Sequence, residues 1–172
     1  MKCPYCGYDN MAGNDECECC EESLASLDGI AHQVRSRFEK LLMRDPVTNL
    51  NPRDAVSVSE NVSLIDAIRK MNQAKVGCVM VTGPGGKLSG ILTERDILFR
   101  VPFKGKNFLK NPVKNIMTTP VETLREEMSI ASVLHQMSVK RFRHTPILRK
   151  NGSLGLLTAR DLLNFLAHNL GD

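Results

Sequence analysis

One seven-residue phrase occurs twice in the chain, as GILTERD at residues 90–96 and as GLLTARD at residues 155–161. Each copy holds Thr-x-x-Asp: Thr93 with Asp96, and Thr158 with Asp161. Two chemistries fit this spacing. In a capping box, the threonine hydroxyl accepts from the amide three residues on and the carboxylate answers the N-cap amide; Glu or Gln is the usual partner, and Asp reaches back less easily. In the second, the helix N-terminus attracts phosphate through its amides and dipole while Thr adds a hydroxyl donor. An ionised Asp repels phosphate but accepts from sugar hydroxyls, as an acidic residue does for ribose in dinucleotide folds. Thr for phosphate beside Asp for ribose describes a nucleotide, and the residues alone leave capping and binding open.

A second cluster lies at the start of the chain. Cys3-x-x-Cys6 is followed after ten residues by Cys17-x-x-Cys20, with Cys19 left over. Two CxxC pairs across a short loop are the ligand set of a tetrahedral metal site, because each pair forms a knuckle presenting two thiolates. Four thiolates suit zinc and also iron. So short a segment cannot bury a core alone, and metal binding would supply most of its folding energy. CPYCG followed by ECECC resembles the short zinc ribbons; the second knuckle departs from them in carrying Glu21 where Gly is usual. The ligands expected are Cys3, Cys6, Cys17 and Cys20. Residues 1–29 hold one basic and seven acidic residues, net −6, and the remainder is net +10. Phosphate backbones demand Lys and Arg, so the acidic ribbon reads as a structural or protein-docking element rather than a nucleic-acid reader.

Around these clusters the chain divides into a ribbon at 1–27, a linker helix at 28–44 and two similar segments at 45–110 and 111–172. The helix is expected over residues 30–43, with Ile30, Val34, Phe38, Leu41 and Leu42 on one stripe and a stop at Asp45-Pro46. In the first segment, 55–58 reads as a strand, Ser63 opens a helix, 76–81 and 88–92 are strands around the Gly83–Pro84–Gly85–Gly86 turn, and Thr93 starts a second helix. In the second, 120–123 is the first strand and Ser129 opens a helix. Residues 145–148 and 153–157 then pair across Asn151-Gly152, and Thr158 starts the last helix. Residues 102–112 read as a polar connection. The expected fold is α/β (α+β), two β-α-β-β-α repeats with a small N-terminal ribbon.

The duplicated order resembles a tandem pair of CBS domains, the Bateman module, over roughly residues 45–170. GILTERDIL and GLLTARDLL fit that family's Gly-hydrophobic-hydrophobic-Ser/Thr-x-x-Asp signature. DAVSVSENVSLIDAIRKM, VGCVMV, NIMTTPVETL and RFRHTPIL are further matches. The resemblance implies an adenosine ligand such as AMP, ADP, ATP or S-adenosylmethionine held in two clefts, with Asp on the ribose and Ser/Thr near the phosphates. Carried over, the first site is Thr93, Arg95 and Asp96, with Val56 and Cys78 or Val79 near the base. The second is Thr158, Arg160 and Asp161, with Val121 and Pro146 or Ile147 near the base. The family often places basic residues before the Pro-Ile strand to meet phosphates; Arg143 and His144 stand there, and the first copy has only Lys75. The second site is therefore expected to hold phosphate more tightly. The family also implies a homodimer.

Function classes narrow accordingly. No paired catalytic carboxylates, nucleophile elbow or Walker loop appears, so a non-enzymatic regulatory module is expected. Ligand binding would favour one arrangement of the repeats and pass through the linker helix to a protein partner at the ribbon. The alternatives are a constitutive adaptor whose heptads merely cap helices, and, less favoured, a nucleic-acid-binding regulator. No apolar run approaches the roughly 18 residues of a membrane span and MKCPYCG is no signal peptide, so the expected location is the cytoplasm, away from membranes.

Overall fold

The structure is a computed structural model that describes residues 1–3, 8–19, 21, 24, 37–102 and 104–169. Contacts divide the chain into two units: Asp54–Glu122, and Met1–Arg53 together with Thr123–Asp172. This division differs from the one drawn on sequence. Residues 45–53 group with the second repeat, and residues 111–122 group with the first.

In the unit Asp54–Glu122, strand β2 (Ser57–Ser59) leads to helix α2 (Leu64–Ala74), β3 (Cys78–Thr82), β4 (Leu88–Thr93) and α3 (Glu94–Arg100). The sheet order is β2-β3-β4, with β2 parallel and β4 antiparallel to β3. Ser63 starts α2 by accepting from the Asp66 amide, and Lys75 ends it in the left-handed conformation. Leu64, Ala67 and Met71 on α2 pack against Val58, Val79, Val81 and Leu92 of the sheet. Residues 102–112 are more than a polar connection. They contain a 3-10 turn at Lys106–Lys110, from which Phe108 and Leu109 pack on this core. The chain then pairs back: the Val113 amide donates to Val62 O (2.9 Å), and Ile91 and Thr118 exchange both backbone bonds.

The other unit repeats the pattern with β5 (Leu124–Arg125), α4 (Ile130–Val139), β6 (His144–Leu148), β7 (Leu154–Thr158) and α5 (Ala159–Asn169). The sheet order is β1-β7-β6-β5, where β1 is Arg53–Asp54. The first strand falls at Leu124–Arg125 and not at 120–123, because Pro120 has no N–H to give a ladder. Helix α1 is Arg37–Arg44, so the first part of the expected 30–43 helix lies outside the described residues. Val47 and Leu50 complete the core formed by Leu124, Ile130, Val133, Ile147, Leu157 and Leu162. The mixed α/β class and the two β-α-β-β-α repeats stand as expected.

Candidate functional site

Both heptads end a strand and start a helix, and their first residue is explained by crowding. A Cβ on Gly90 would collide with Met117 Sδ, and one on Gly155 would lie 3.1 Å from Pro52 Cβ. The glycines thus admit a strand-preceding segment close against the sheet. Neither position has a left-handed backbone, so room rather than conformation requires glycine.

At Thr93 the capping box is complete. Thr93 N and Oγ1 donate to Asp96 Oδ2 at 2.9 and 2.6 Å, and the Asp96 amide returns to Thr93 Oγ1 at 3.2 Å. The other carboxylate oxygen accepts from Thr118 Oγ1 at 2.9 Å and lies 3.5 Å from the Arg100 guanidinium. Arg100 in turn donates to the carbonyls of Ile116 and Met117. Asp96 is buried, 8% exposed, and both of its oxygens are occupied.

The second heptad caps in the same way and differs beyond the cap. Thr158 N and Oγ1 each donate to Asp161 Oδ2 at 2.7 Å, and the Asp161 amide reaches Thr158 Oγ1 at 3.4 Å. Oδ1 is taken by Arg53, 2.6 Å away, whose side chain is half exposed. Burial pushes the Asp161 carboxyl up, but the Thr158 hydroxyl and amide and the Arg53 guanidinium outweigh it and hold the group below the usual carboxylate range. An exposed pair of this kind is worth only about 0–1 kcal/mol. Orphaning the half-buried Thr118 hydroxyl costs more, up to about 1–3 kcal/mol. The second aspartate is therefore the cheaper one to open to a ligand.

Strand alternation sorts the residues expected near the base. Cys78 stands opposite Thr93, and His144 opposite Thr158, so these share a sheet face. Pro146 falls on the His144 face by the period of two. Val79 and Ile147 point the other way, into the two cores, and are fully buried. Cys78 and Pro146 are thus the members of each alternative that share a face with the threonine. Val56 is half-buried, its carbonyl accepting from the Met80 amide. Val121 is half-buried on the segment before β5, in the unit that does not contain Thr158. Arg95 is exposed with its guanidinium 5.7 Å from the Phe99 ring centroid, and Arg160 is exposed on α5.

The helix amides are less available than the sequence suggests. The first amide of α3, Glu94 N, donates to Gly77 O, and that of α5, Ala159 N, donates to Arg143 O, both at 3.0 Å. With the N-cap and third amides inside the capping box, phosphate at these helix starts would depend largely on side chains. The bond to Arg143 does place that exposed residue and the half-buried His144 beside the start of α5. Sequence reasoning missed Thr118, Arg100 and Arg53. Arg100 could have been found four residues after Asp96 on one helix face. Arg53 stands 108 residues from Asp161 and gives no local signal.

At the N-terminus, a bridge between Lys2 and Asp9 and the bond from Cys3 N to Tyr8 O (2.8 Å) pair these two short stretches. Cys3 and Cys17 are buried together with Leu24, whereas Cys19 is exposed. Buried Asn10 donates through Nδ2 to Cys17 Sγ at 3.4 Å and accepts from the Glu18 amide at 2.9 Å. Cys6 and Cys20 lie outside the described residues. Among the described residues no group of three or more His, Cys, Asp or Glu could hold a metal ion, and no helix is long and apolar enough to cross a membrane.

Two β-α-β-β-α units, each with a Thr-Asp pair where its hairpin enters its second helix, define a tandem-repeat α/β protein with a duplicated helix-start site. The chain belongs to the CBS-domain family, whose model matches residues 41–102 and 113–168. It is 30% identical over 110 residues to a mitochondrial CBS domain-containing protein of Arabidopsis thaliana, covering 62% of this chain and 53% of that one. A CBS-domain protein structure from Agrobacterium tumefaciens aligns at TM-score 0.61 and 30% identity, covering 69% and 88% of the two chains. A CBS domain protein of Pyrobaculum aerophilum, solved in complex with AMP, aligns at TM-score 0.62 and 26% identity, covering 72% and 99%. The chain spans about half the length of curated relatives it matches, 57% of one from Methanopyrus kandleri and 53% of the Arabidopsis protein.

Proposed function

We propose that this chain is a non-enzymatic regulatory module that senses an adenosine nucleotide and signals through a metal-bound N-terminal ribbon. CBS-domain proteins are generally regulatory, and the Pyrobaculum relative carries AMP. The observation that carries the reading is Asp161, whose outer oxygen meets one half-exposed guanidinium while its inner oxygen caps α5. A carboxylate offers about four lone-pair sites, so capping and acceptance from a ribose diol are compatible on one side chain. Thr158, His144 and Pro146 share the sheet face beside it, and Arg143 supplies positive charge for phosphate. Asp96 with Thr93 and Cys78 forms the weaker counterpart, because its carboxylate is buried and saturated.

Calorimetric titration with AMP, ADP, ATP and S-adenosylmethionine tests the reading. One of these binds the wild type, and Asp161→Ala abolishes that binding. If none binds, or if the variant binds equally well, the sensor reading fails. A second reading, a constitutive adaptor without ligand, is favoured by the completeness of both capping boxes and wins in that event.

For the ribbon, Cys3, Cys6, Cys17 and Cys20 would hold zinc, or iron in its place. The donor chemistry fits: Cys3 and Cys17 are buried together, and Asn10 donates to Cys17 Sγ, a contact that supports a thiolate. The metal's contribution is to fold and rigidify the segment, whose acidic surface would dock a protein partner. Elemental analysis of the purified chain, with Cys17→Ser as control, tests the site. Light scattering tests the homodimer expected for the family.

A further inference from the structure

We infer that Arg53 is a further nucleotide-binding residue, which passes from Asp161 to the phosphate when a ribose takes the carboxylate. This rests on reading Asp161 as the ribose acceptor. Asp161 Oδ2 is committed to the cap, so a ribose diol must use Oδ1, the atom Arg53 holds at 2.6 Å. The backbone beside Arg53 is fixed. Pro52 O accepts from the Arg149 guanidinium at 2.7 Å, Pro52 Cβ lies against Gly155, and β1 forms the sheet edge beside β7. The Arg53 side chain itself is half exposed, so the guanidinium can turn while its root stays at the site.

A displaced guanidinium seeks another anion, and its planar fork of donors matches phosphate geometry. The nucleotide brings that anion with it. Three of the amides that would otherwise receive phosphate are already engaged, Thr158 N by Asp161, Ala159 N by Arg143 O and Asp161 N by the Thr158 hydroxyl. Side chains therefore meet most of the phosphate charge, and Arg53 joins Arg143 and His144 for that purpose. The first heptad also has an arginine near its aspartate, Arg100 at 3.5 Å, but that one is tied elsewhere. Thr118 occupies the corresponding carboxylate oxygen there, and Arg100 is bound to the carbonyls of Ile116 and Met117. Arg53 thus gives the second site a preference for a phosphorylated adenosine over the bare nucleoside.

The test is calorimetric titration of AMP and of adenosine into the full chain as wild type, Arg53→Gln and Arg53→Lys, with Asp161→Ala beside them. Arg53→Gln weakens AMP about tenfold or more, the loss of one charge-assisted contact. It leaves adenosine unchanged or tighter, because the competing guanidinium is gone. Arg53→Lys keeps the charge without the fork and falls between. Thermal melts of the variants confirm that the fold is retained, as a half-exposed side chain allows. If Arg53→Gln binds AMP as tightly as the wild type or more so, the inference is overturned while the Asp161 reading stands. If the wild type binds neither compound, or Asp161→Ala binds AMP normally, both are overturned.

Discussion

The two heptads are nearly identical in sequence, yet their aspartates should contribute unequally to stability. Asp96→Ala removes acceptors from Thr93 N, Thr93 Oγ1 and Thr118 Oγ1, all at or below 2.9 Å, at a site 8% exposed. Loss of the cap costs about 1 kcal/mol. Leaving the half-buried Thr118 hydroxyl without an acceptor adds up to about 1–3 kcal/mol. The half-exposed Arg100 keeps its carbonyl partners and adds little. The sum is about 2–4 kcal/mol. Asp161→Ala loses the same cap, but its other partner, Arg53, is resolvated on release, so that variant loses about 1–2 kcal/mol. The difference of about 1–2 kcal/mol corresponds to roughly 2–8 °C in melting midpoint for a chain of this size. Differential scanning calorimetry and urea denaturation of the two variants at neutral pH measure it. Equal destabilisation, or a larger loss at Asp161, would refute the assignment of the buried oxygen to Asp96.

Thr145 is fully buried with no partner for its hydroxyl among the described residues, and Val79 fills the matching strand position of the other repeat. Thr145→Val should therefore stabilise the chain by about 1 kcal/mol, read as an upward shift in urea midpoint. Gly155→Ala meets the rigid Pro52 ring at 3.1 Å, whereas Gly90→Ala meets the flexible end of Met117. Each should destabilise by about 1–3 kcal/mol, and trimming Met117 to Ala should rescue the Gly90 variant in a melt. Because Asp161 titrates lower folded than unfolded, its contribution is present above about pH 4 and is lost as pH falls through the folded value. Asp161→Asn should accordingly show a shallower decline in melting temperature across that acid range. In the ribbon, Cys17→Ser should abolish stoichiometric metal while Cys19→Ser retains it, since Cys17 is buried beside Cys3 and Cys19 is exposed; elemental analysis distinguishes them.

Much of the fold was written in local pattern. The β-branched run before Thr82, the Ser63 cap and the Gly-Pro-Gly-Gly turn each act within a few residues, so the sequence displays them. Thr93 and Thr158 read correctly as helix starts for the same reason. What escaped depends on distant partners. Phe108 and Leu109 sit in a lysine-rich stretch, and only the fold-back of that stretch onto α2 reveals them as core. The need for glycine at the head of each heptad shows only once Met117 and Pro52 are seen against it. Period-two alternation could have separated Cys78 from Val79 and Pro146 from Ile147, had the strand face carrying the threonine been fixed first. The outer partner of each aspartate, Thr118 or Arg53, comes from a segment whose pairing no local spacing encodes.

The most direct measurement is a crystal structure of the chain grown with AMP. The account predicts ribose hydroxyls at about 2.6–3.2 Å from Asp161 Oδ1, the cap through Oδ2 intact, and the Arg53 guanidinium moved onto the phosphate. AMP bound away from both aspartates, or Asp161 still closed by Arg53 in crystals that contain the nucleotide, would contradict it.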